Sequence, residues 1–282
     1  MIYENSAGLM LRKNVRGIDG ISGGSIGSNV TLMAENVSRG IYTALKALDL
    51  YGGYVHGDGA DATKGEMMKE IFLNLEVMNP FSGYCVPKCI IATPHTDVEI
   101  TTGMEGLIEY ELEFIDGVRD ADKELFGYTY HDLYKDSYSD MIRALKENKY
   151  TRQAMLPVGA SKFYAVGEDK PCLMELMFKV RNDDRLWCTA VFRSNDAVRA
   201  FPMNIWAIAR LLKHISYEVG IPCGGINYVA NSFHVYPGCE NTLRGYITRY
   251  ELGTPDKWAW TEDEYVQRKI EMLLELDKME DV

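Results

Sequence analysis

Two runs of alternating apolar residues joined by a short charged turn constrain this chain more than any other feature in it. Met174, Leu176, Phe178 and Val180 recur at every second position of the first run, and Leu186, Cys188, Ala190 and Phe192 at every second position of the next. Successive side chains of a strand point to opposite faces, so a period of two means one buried face. The segment Arg181-Asn182-Asp183-Asp184-Arg185 between the runs is a polar turn, and the pattern predicts a β-hairpin. Pro171-Cys172 opens the hairpin and Phe192-Arg193-Ser194 closes it. Pairing across the turn therefore sets Cys172 and Arg193 at one end. A cysteine alone reads as a buried inert thiol. A cation beside it favours the thiolate, and an activated cysteine next to an anion site is the expectation here.

The segments around the hairpin mix helix and strand. Ile41, Ala44, Leu45 and Leu48 recur at helical spacing and stop at Gly52-Gly53. Ile71, Leu73, Leu75 and Val77 alternate as a half-buried strand closed by Asn79-Pro80. Tyr54–Thr63 reads as a loop, and residues 106–115 and 139–145 read as helices. A longer helix is expected from about Asn204 to Val219, with Ile205, Ile208, Ala209, Leu212 and Ile215 facing inward and Gly220 as its C-cap. Thr261 and Glu264 fit a capping box that starts a last helix to about Leu276. Helices and mostly hairpin-linked strands without regular β-α alternation indicate an α+β class. Residues 1–34, rich in Gly, Ser and Asn, are expected to be a flexible or loosely packed arm ahead of one domain at 35–282.

Composition narrows the function. The net charge of -11 argues against a general nucleic-acid binder, because phosphate backbones attract basic surfaces. It allows a small anion held by a few Arg residues. No apolar run approaches the length a membrane helix needs, and the amino end has no secretion pattern, so a cytoplasmic protein with reduced thiols is expected. Cys85 and Cys89 form a single pair with no second ligand pair nearby, and no metal site is read there.

Four spaced motifs carry a resemblance. Pro171-Cys172, Arg193-Ser194-Asn195-Asp196, Phe201-Pro202-Met203-Asn204-Ile205 and His234-Val235-Tyr236 follow one another in the order and spacing of thymidylate synthase and the related pyrimidine-nucleotide hydroxymethylases. The chain resembles that family over roughly residues 139–237. The resemblance implies a mixed or antiparallel twisted sheet packed by helices, and a homodimer formed through the sheet. It implies that Cys172 adds as thiolate to C6 of a pyrimidine nucleoside 5′-monophosphate, and that C5 then takes a one-carbon unit from 5,10-methylenetetrahydrofolate. Arg193 and Ser194 would bind the 5′-phosphate, with Arg152 arriving from the partner subunit and Lys64 from the N-terminal side. Gln153 stands where the family usually has a second Arg. Asn204 would read the base. Its carboxamide matches the O4 acceptor and N3–H donor of uracil, where cytosine-specific relatives tend to carry Asp. His234 and Tyr236 would bind the sugar hydroxyl, Asp196 the pterin, and Tyr130 would assist proton removal at C5.

The family's relay carboxylate lies on a helix resembling 109–117 of this chain. Aligned on Phe114 and Gly117, Tyr110 takes its place; with a one-residue shift Glu109 or Glu111 does, and Glu111 is assigned. Three departures bear on the product. Leu173 follows the nucleophile where His is common, the tail Met279-Glu280-Asp281-Val282 is acidic rather than apolar, and Glu113 stands where a folate-stacking Trp is expected. Excluding water favours hydride transfer and a methyl product, whereas admitting it favours a hydroxymethyl product. A hydroxymethylase acting on dUMP is therefore the first reading. Thymidylate synthesis is its close alternative, and a nucleotide-binding relative without catalysis is the alternative of another class.

Overall fold

The alternation of the hairpin is met residue for residue. In the computed structural model, which describes residues 2–4, 10–12, 28–56, 67–88, 90–92, 99–101, 103–118, 128–159 and 170–280, Leu176 pairs with Ala190, Phe178 with Cys188 and Val180 with Leu186. These side chains are buried, and Met177 and Lys179 between them are exposed. Strands run at Ile2–Glu4 (β1), Met10–Arg12 (β2), Ser28–Ala34 (β3), Gly53–His56 (β4), Met67–Val77 (β5), Tyr84–Pro87 (β6), Ile90–Ala92 (β7) and Glu99–Thr101 (β8). They continue at Met155–Pro157 (β9), Leu173–Val180 (β10), Leu186–Phe192 (β11), Asn195–Asp196 (β12), Cys223–Val235 (β13) and Ala259–Thr261 (β14). Helices are Val37–Tyr51 (α1), Met104–Asp116 (α2), Tyr130–Glu147 (α3), Phe201–Val219 (α4), Glu240–Leu252 (α5), Pro255–Trp258 (α6) and Glu262–Glu280 (α7).

Among the described residues, ten strands form one mixed sheet in the order β1-β2-β3-β5-β13-β11-β10-β9, with β4 on β5 and β12 on β13. The inner pairs β3/β5 and β11/β13 are parallel. Parallel neighbours need a crossover, and α1 with β4 supplies the first and α4 the second. The long helix α4 lies on β11 and β13, and α2 packs on α4. Trp206, Phe201, Phe192, Tyr228 and Phe233 are fully buried between sheet and helices. This is the α+β arrangement of a twisted mixed sheet packed by helices. Gly220 ends α4 in the left-handed conformation at φ 68, as the C-cap reading required.

The structure corrects three readings. Residues 28–34, assigned to a loose arm, are the inner strand β3, with Val30, Leu32 and Ala34 buried. Their short alternation sits at the end of a Gly- and Ser-rich stretch that masks it. Residues 53–56, read as loop, form β4 along β5. Helix α3 begins nine residues earlier than expected, at Tyr130. Its start is fixed by a capping box in which the Thr129 hydroxyl accepts from the Asp132 backbone and the Asp132 carboxylate accepts from the Thr129 N–H. Lys64 lies outside the described residues.

Candidate active site

The open end of the hairpin builds the site. The Arg193 N–H donates to the Cys172 carbonyl oxygen at 2.9 Å, which places the two residues opposite each other. The guanidinium folds back over the preceding turn, with Nε donating to the Pro171 oxygen at 2.9 Å and Nη2 to the Lys170 oxygen. A planar fork held by two carbonyls thus lies beside the Cys172 backbone. Cys172 is half-buried. Cys85 and Cys188 differ from it in being fully enclosed. Burial pushes the Cys85 thiol up to about 12 and the Cys188 thiol higher still, and both are packing residues.

Tyr130, at the first position of α3, reaches the same place. Desolvation pushes its hydroxyl up and Cys172 adds to this, while a hydrogen bond from the Leu173 backbone and the Arg193 charge pull it down. Cys172, Arg193 and Tyr130 thus form one electrostatic group. Tyr110 of α2 joins it: desolvation pushes its hydroxyl far above the ordinary range, and Tyr130, Glu113 and Cys172 act in the same direction. The Tyr110 hydroxyl donates to Asn204 Oδ1 at 2.5 Å. Asn204 is buried in the first turn of α4, where Ala200 is the N-cap and Pro202 fits the opening turn. Helix α2 thus presents Tyr110 to Asn204.

Glu111 is turned elsewhere. Its carboxylate accepts from Arg210 Nε at 3.0 Å, Lys269 Nζ at 2.8 Å and the Tyr265 hydroxyl at 2.6 Å. Burial pushes this carboxyl up, but Arg210 and Lys269 outweigh it and hold it below its ordinary value. The sequence reading assigned Glu111 to the relay, and in the structure its carboxylate is engaged by residues of α4 and α7. One step along a helix rotates a side chain by about 100°, and this rotation carries Glu111 into a buried ion cluster that ties α2 to α4 and α7. Among the described residues, its hydrogen-bond partners Arg210, Lys269 and Tyr265 all belong to that cluster.

The remaining predicted residues lie on or beside β9, β12 and β13. A β-bulge in β13 between Ala230 and Phe233 adds one residue against β5 and resets the strand before His234. His234 is buried, its Nδ1 lies 3.2 Å from Ser232 Oγ, and its ring meets that of Tyr236 edge-on at 4.8 Å. The two therefore lie on one side, as their spacing required. Asp196 pairs with His234 in register, and its Oδ1 accepts from the Val198 and Arg199 N–H groups at 2.9 Å. Ser194 lies between Arg193 and β12, half-buried. Arg152 is exposed on the loop before β9 and pairs with no acid among the described residues. The sequence reading missed Tyr228 and Asn195. The Tyr228 hydroxyl donates to Asn195 Oδ1 at 3.1 Å, and the Asn204 side chain also interacts with that hydroxyl. On sequence Tyr228 is one more apolar-face residue of β13, and only the packing of α4 and β12 shows it as polar machinery.

The family model for thymidylate synthase matches residues 117–273, more than half of the chain. The chain belongs to the thymidylate synthase family. Members of this family transfer one-carbon groups, and the chain is an enzyme of that kind. A protein of the archaeon Methanosarcina mazei named "Putative thymidylate synthase" is 28% identical over 227 residues, covering 76% of this chain and 94% of its own. A relative of the same name in Methanothermobacter thermautotrophicus is 31% identical over 137 residues, 47% of this chain and 60% of its own. A protein of Pseudomonas phage M6 named "Deoxyuridylate hydroxymethyltransferase" is 29% identical over 148 residues, 48% of this chain and 42% of its own. No helix among the described residues is long and apolar enough to cross a membrane.

Proposed function

We propose that this thymidylate synthase relative transfers a one-carbon unit to C5 of a uracil nucleoside 5′-monophosphate, dUMP, and that the product is hydroxymethylated. The observation that carries the reading is the pairing of Cys172 against Arg193 at the hairpin end, with Tyr130 beside both. Arg193 binds the 5′-phosphate, aided by Ser194, and its charge favours the Cys172 thiolate. The thiolate adds to C6, and the electron pair displaced from the C5–C6 double bond makes C5 the nucleophile. Asn204 holds the base, His234 and Tyr236 hold the sugar, and Tyr130, whose hydroxyl keeps its own proton, assists as solvent water takes the C5 proton. Methylenetetrahydrofolate supplies the one-carbon unit when bound. Asp196 would hold its pterin through Oδ2, because Oδ1 caps its own turn by accepting from the Val198 and Arg199 N–H groups.

The lean to hydroxymethylation rests on Glu113. It stands where the family carries an apolar stacking Trp, and its charge acts on the Tyr110 hydroxyl. A carboxylate there draws water to the position from which water must be excluded for hydride transfer. The archaeal relatives' names favour the alternative, reductive methylation to dTMP. Incubation with dUMP and methylenetetrahydrofolate, read by mass spectrometry of the nucleotide, separates the two. 5-Hydroxymethyl-dUMP is expected. A dTMP product moves the reading to thymidylate synthesis, and an unchanged nucleotide without release of a C5 tritium label refutes both.

A second copy of the chain completes the site in this reading. Met155, Met177, Thr189 and Asn227 form a row across β9, β10, β11 and β13 on the sheet face turned from the helices. Met155 and Met177 are 43% and 36% exposed there. Packing two such faces together buries the row, and Arg152 on the adjoining loop is free to reach the partner's phosphate site. Sedimentation equilibrium is expected to give a dimer, and a monomer at assay concentration contradicts this part of the proposal.

A further inference from the structure

We propose that Tyr110 fixes which way Asn204 presents its carboxamide, and thereby selects uracil over cytosine. This rests on the pyrimidine-nucleotide reading given above. A carboxamide has a donor end and an acceptor end, and a half-turn exchanges them. Uracil offers the O4 acceptor and the N3–H donor, whereas cytosine offers the N4 amino donor and the N3 acceptor. An unconstrained Asn can turn to suit either base, so Asn alone gives weak discrimination.

Here the carboxamide is held at its oxygen and faces a second hydroxyl at its other end. Its oxygen accepts from the Tyr110 hydroxyl at 2.5 Å. Its other neighbour is the Tyr228 hydroxyl, whose own proton is committed to Asn195 Oδ1 at 3.1 Å. The Tyr228 oxygen therefore faces Asn204 as an acceptor, which suits the amino end. Asn204, Asn195 and Tyr228 are all buried. Turning Asn204 over sets its amino group against the Tyr110 proton and its oxygen against the Tyr228 oxygen, and it leaves a hydroxyl proton without an acceptor away from water. Such an unmatched group is costly. In the observed orientation one lone pair of Oδ1 and one hydrogen of Nδ2 remain, and these are the partners of N3–H and O4.

The polarity does not depend on pH across the working range. Desolvation pushes both the Tyr110 and the Tyr228 hydroxyls far above their ordinary range, so both keep their protons. Tyr110 acts through Asn204 and is a positioning residue for the base. Its place is the one in which the aligned family motif has a carboxylate. A carboxylate there accepts hydrogen bonds, whereas a neutral phenol donates, and this difference sets the amide.

The test is calorimetric binding of dUMP, dCMP and deoxyribose 5-phosphate to the full chain and to Tyr110→Phe, which keeps the ring and removes the hydroxyl. The wild-type chain is expected to prefer dUMP, and in Tyr110→Phe the ratio of the dCMP to the dUMP dissociation constant is expected to fall about tenfold with deoxyribose 5-phosphate unaffected. A merely structural loosening weakens all three ligands together and leaves the ratio in place. A ratio within about twofold of wild type overturns the proposal. So does a wild-type preference for dCMP, although the nucleotide reading then stands. Binding of neither nucleotide overturns that reading itself. If Tyr110→Phe does not fold, Tyr228→Phe removes the acceptor at the other end of the amide, and the same ratio and the same outcomes apply.

Discussion

Replacing Cys172 with serine is expected to lower turnover of dUMP by a factor on the order of 10,000 or more, since a nucleophile's loss removes the covalent path rather than weakening it. A serine hydroxyl fits the space of the thiol but stays protonated at neutral pH. The thermal midpoint should scarcely move, because Cys172 is only half-buried and the backbone hydrogen bond from Arg193 to its oxygen is kept. Affinity for dUMP should likewise persist, because Arg193, Asn204 and His234 are untouched. Steady-state kinetics with unfolding and binding curves read all three quantities. Turnover within tenfold of wild type excludes Cys172 as the nucleophile.

Glu111→Gln is expected to act in the opposite way, on stability and not on chemistry. The Glu111 side chain is 4% exposed and holds Arg210 and Lys269 at 3.0 and 2.8 Å. Removing one partner of a buried ionic group leaves the other charges uncompensated, at about 3–5 kcal/mol. Arg210 keeps a second carboxylate, Glu262, at 2.9 Å, which places the expected loss near the lower end, about 3 kcal/mol. Denaturant unfolding measures it. Turnover per folded molecule is expected to stay near wild type, and a large fall in turnover with normal stability restores Glu111 to the relay role. The pH dependence carries the same signature. The folded carboxyl lies below its ordinary value of 4.5, so its contribution is fully present above that pH and is lost as pH falls below it through the folded value. In Glu111→Gln this part of the acid sensitivity disappears.

The hairpin and its consequence, Cys172 facing Arg193, were legible because both rest on local rules. A period of two fixes which side chains are inward, and a turn fixes which residues meet. The helix α4 with its Gly220 cap was legible for the same reason. What the sequence hid depends on partners far along the chain. Glu111 is distinguished from Tyr110 only by which face of α2 meets α4 and which meets α7, and Lys269 and Tyr265 come to it from more than 150 residues away. No spacing within 109–117 carries that information. Strand β3 was hidden because its burial comes from pairing with β5 across α1, not from its own composition. The pairing of Tyr228 with Asn195 was hidden, since a polar chain of side chains forms only when β12, β13 and α4 are assembled.

The account's central claim is that Cys172 attacks C6 of a uracil nucleotide bound by Arg193 and Asn204. Its most direct test is intact and peptide mass spectrometry of the chain incubated with 5-fluoro-dUMP and methylenetetrahydrofolate, in which the fluorine blocks loss of the C5 substituent and traps the adduct. A stable ternary adduct on the peptide containing Cys172 is the result expected. An unmodified chain, or an adduct on any of the other cysteines, contradicts the claim.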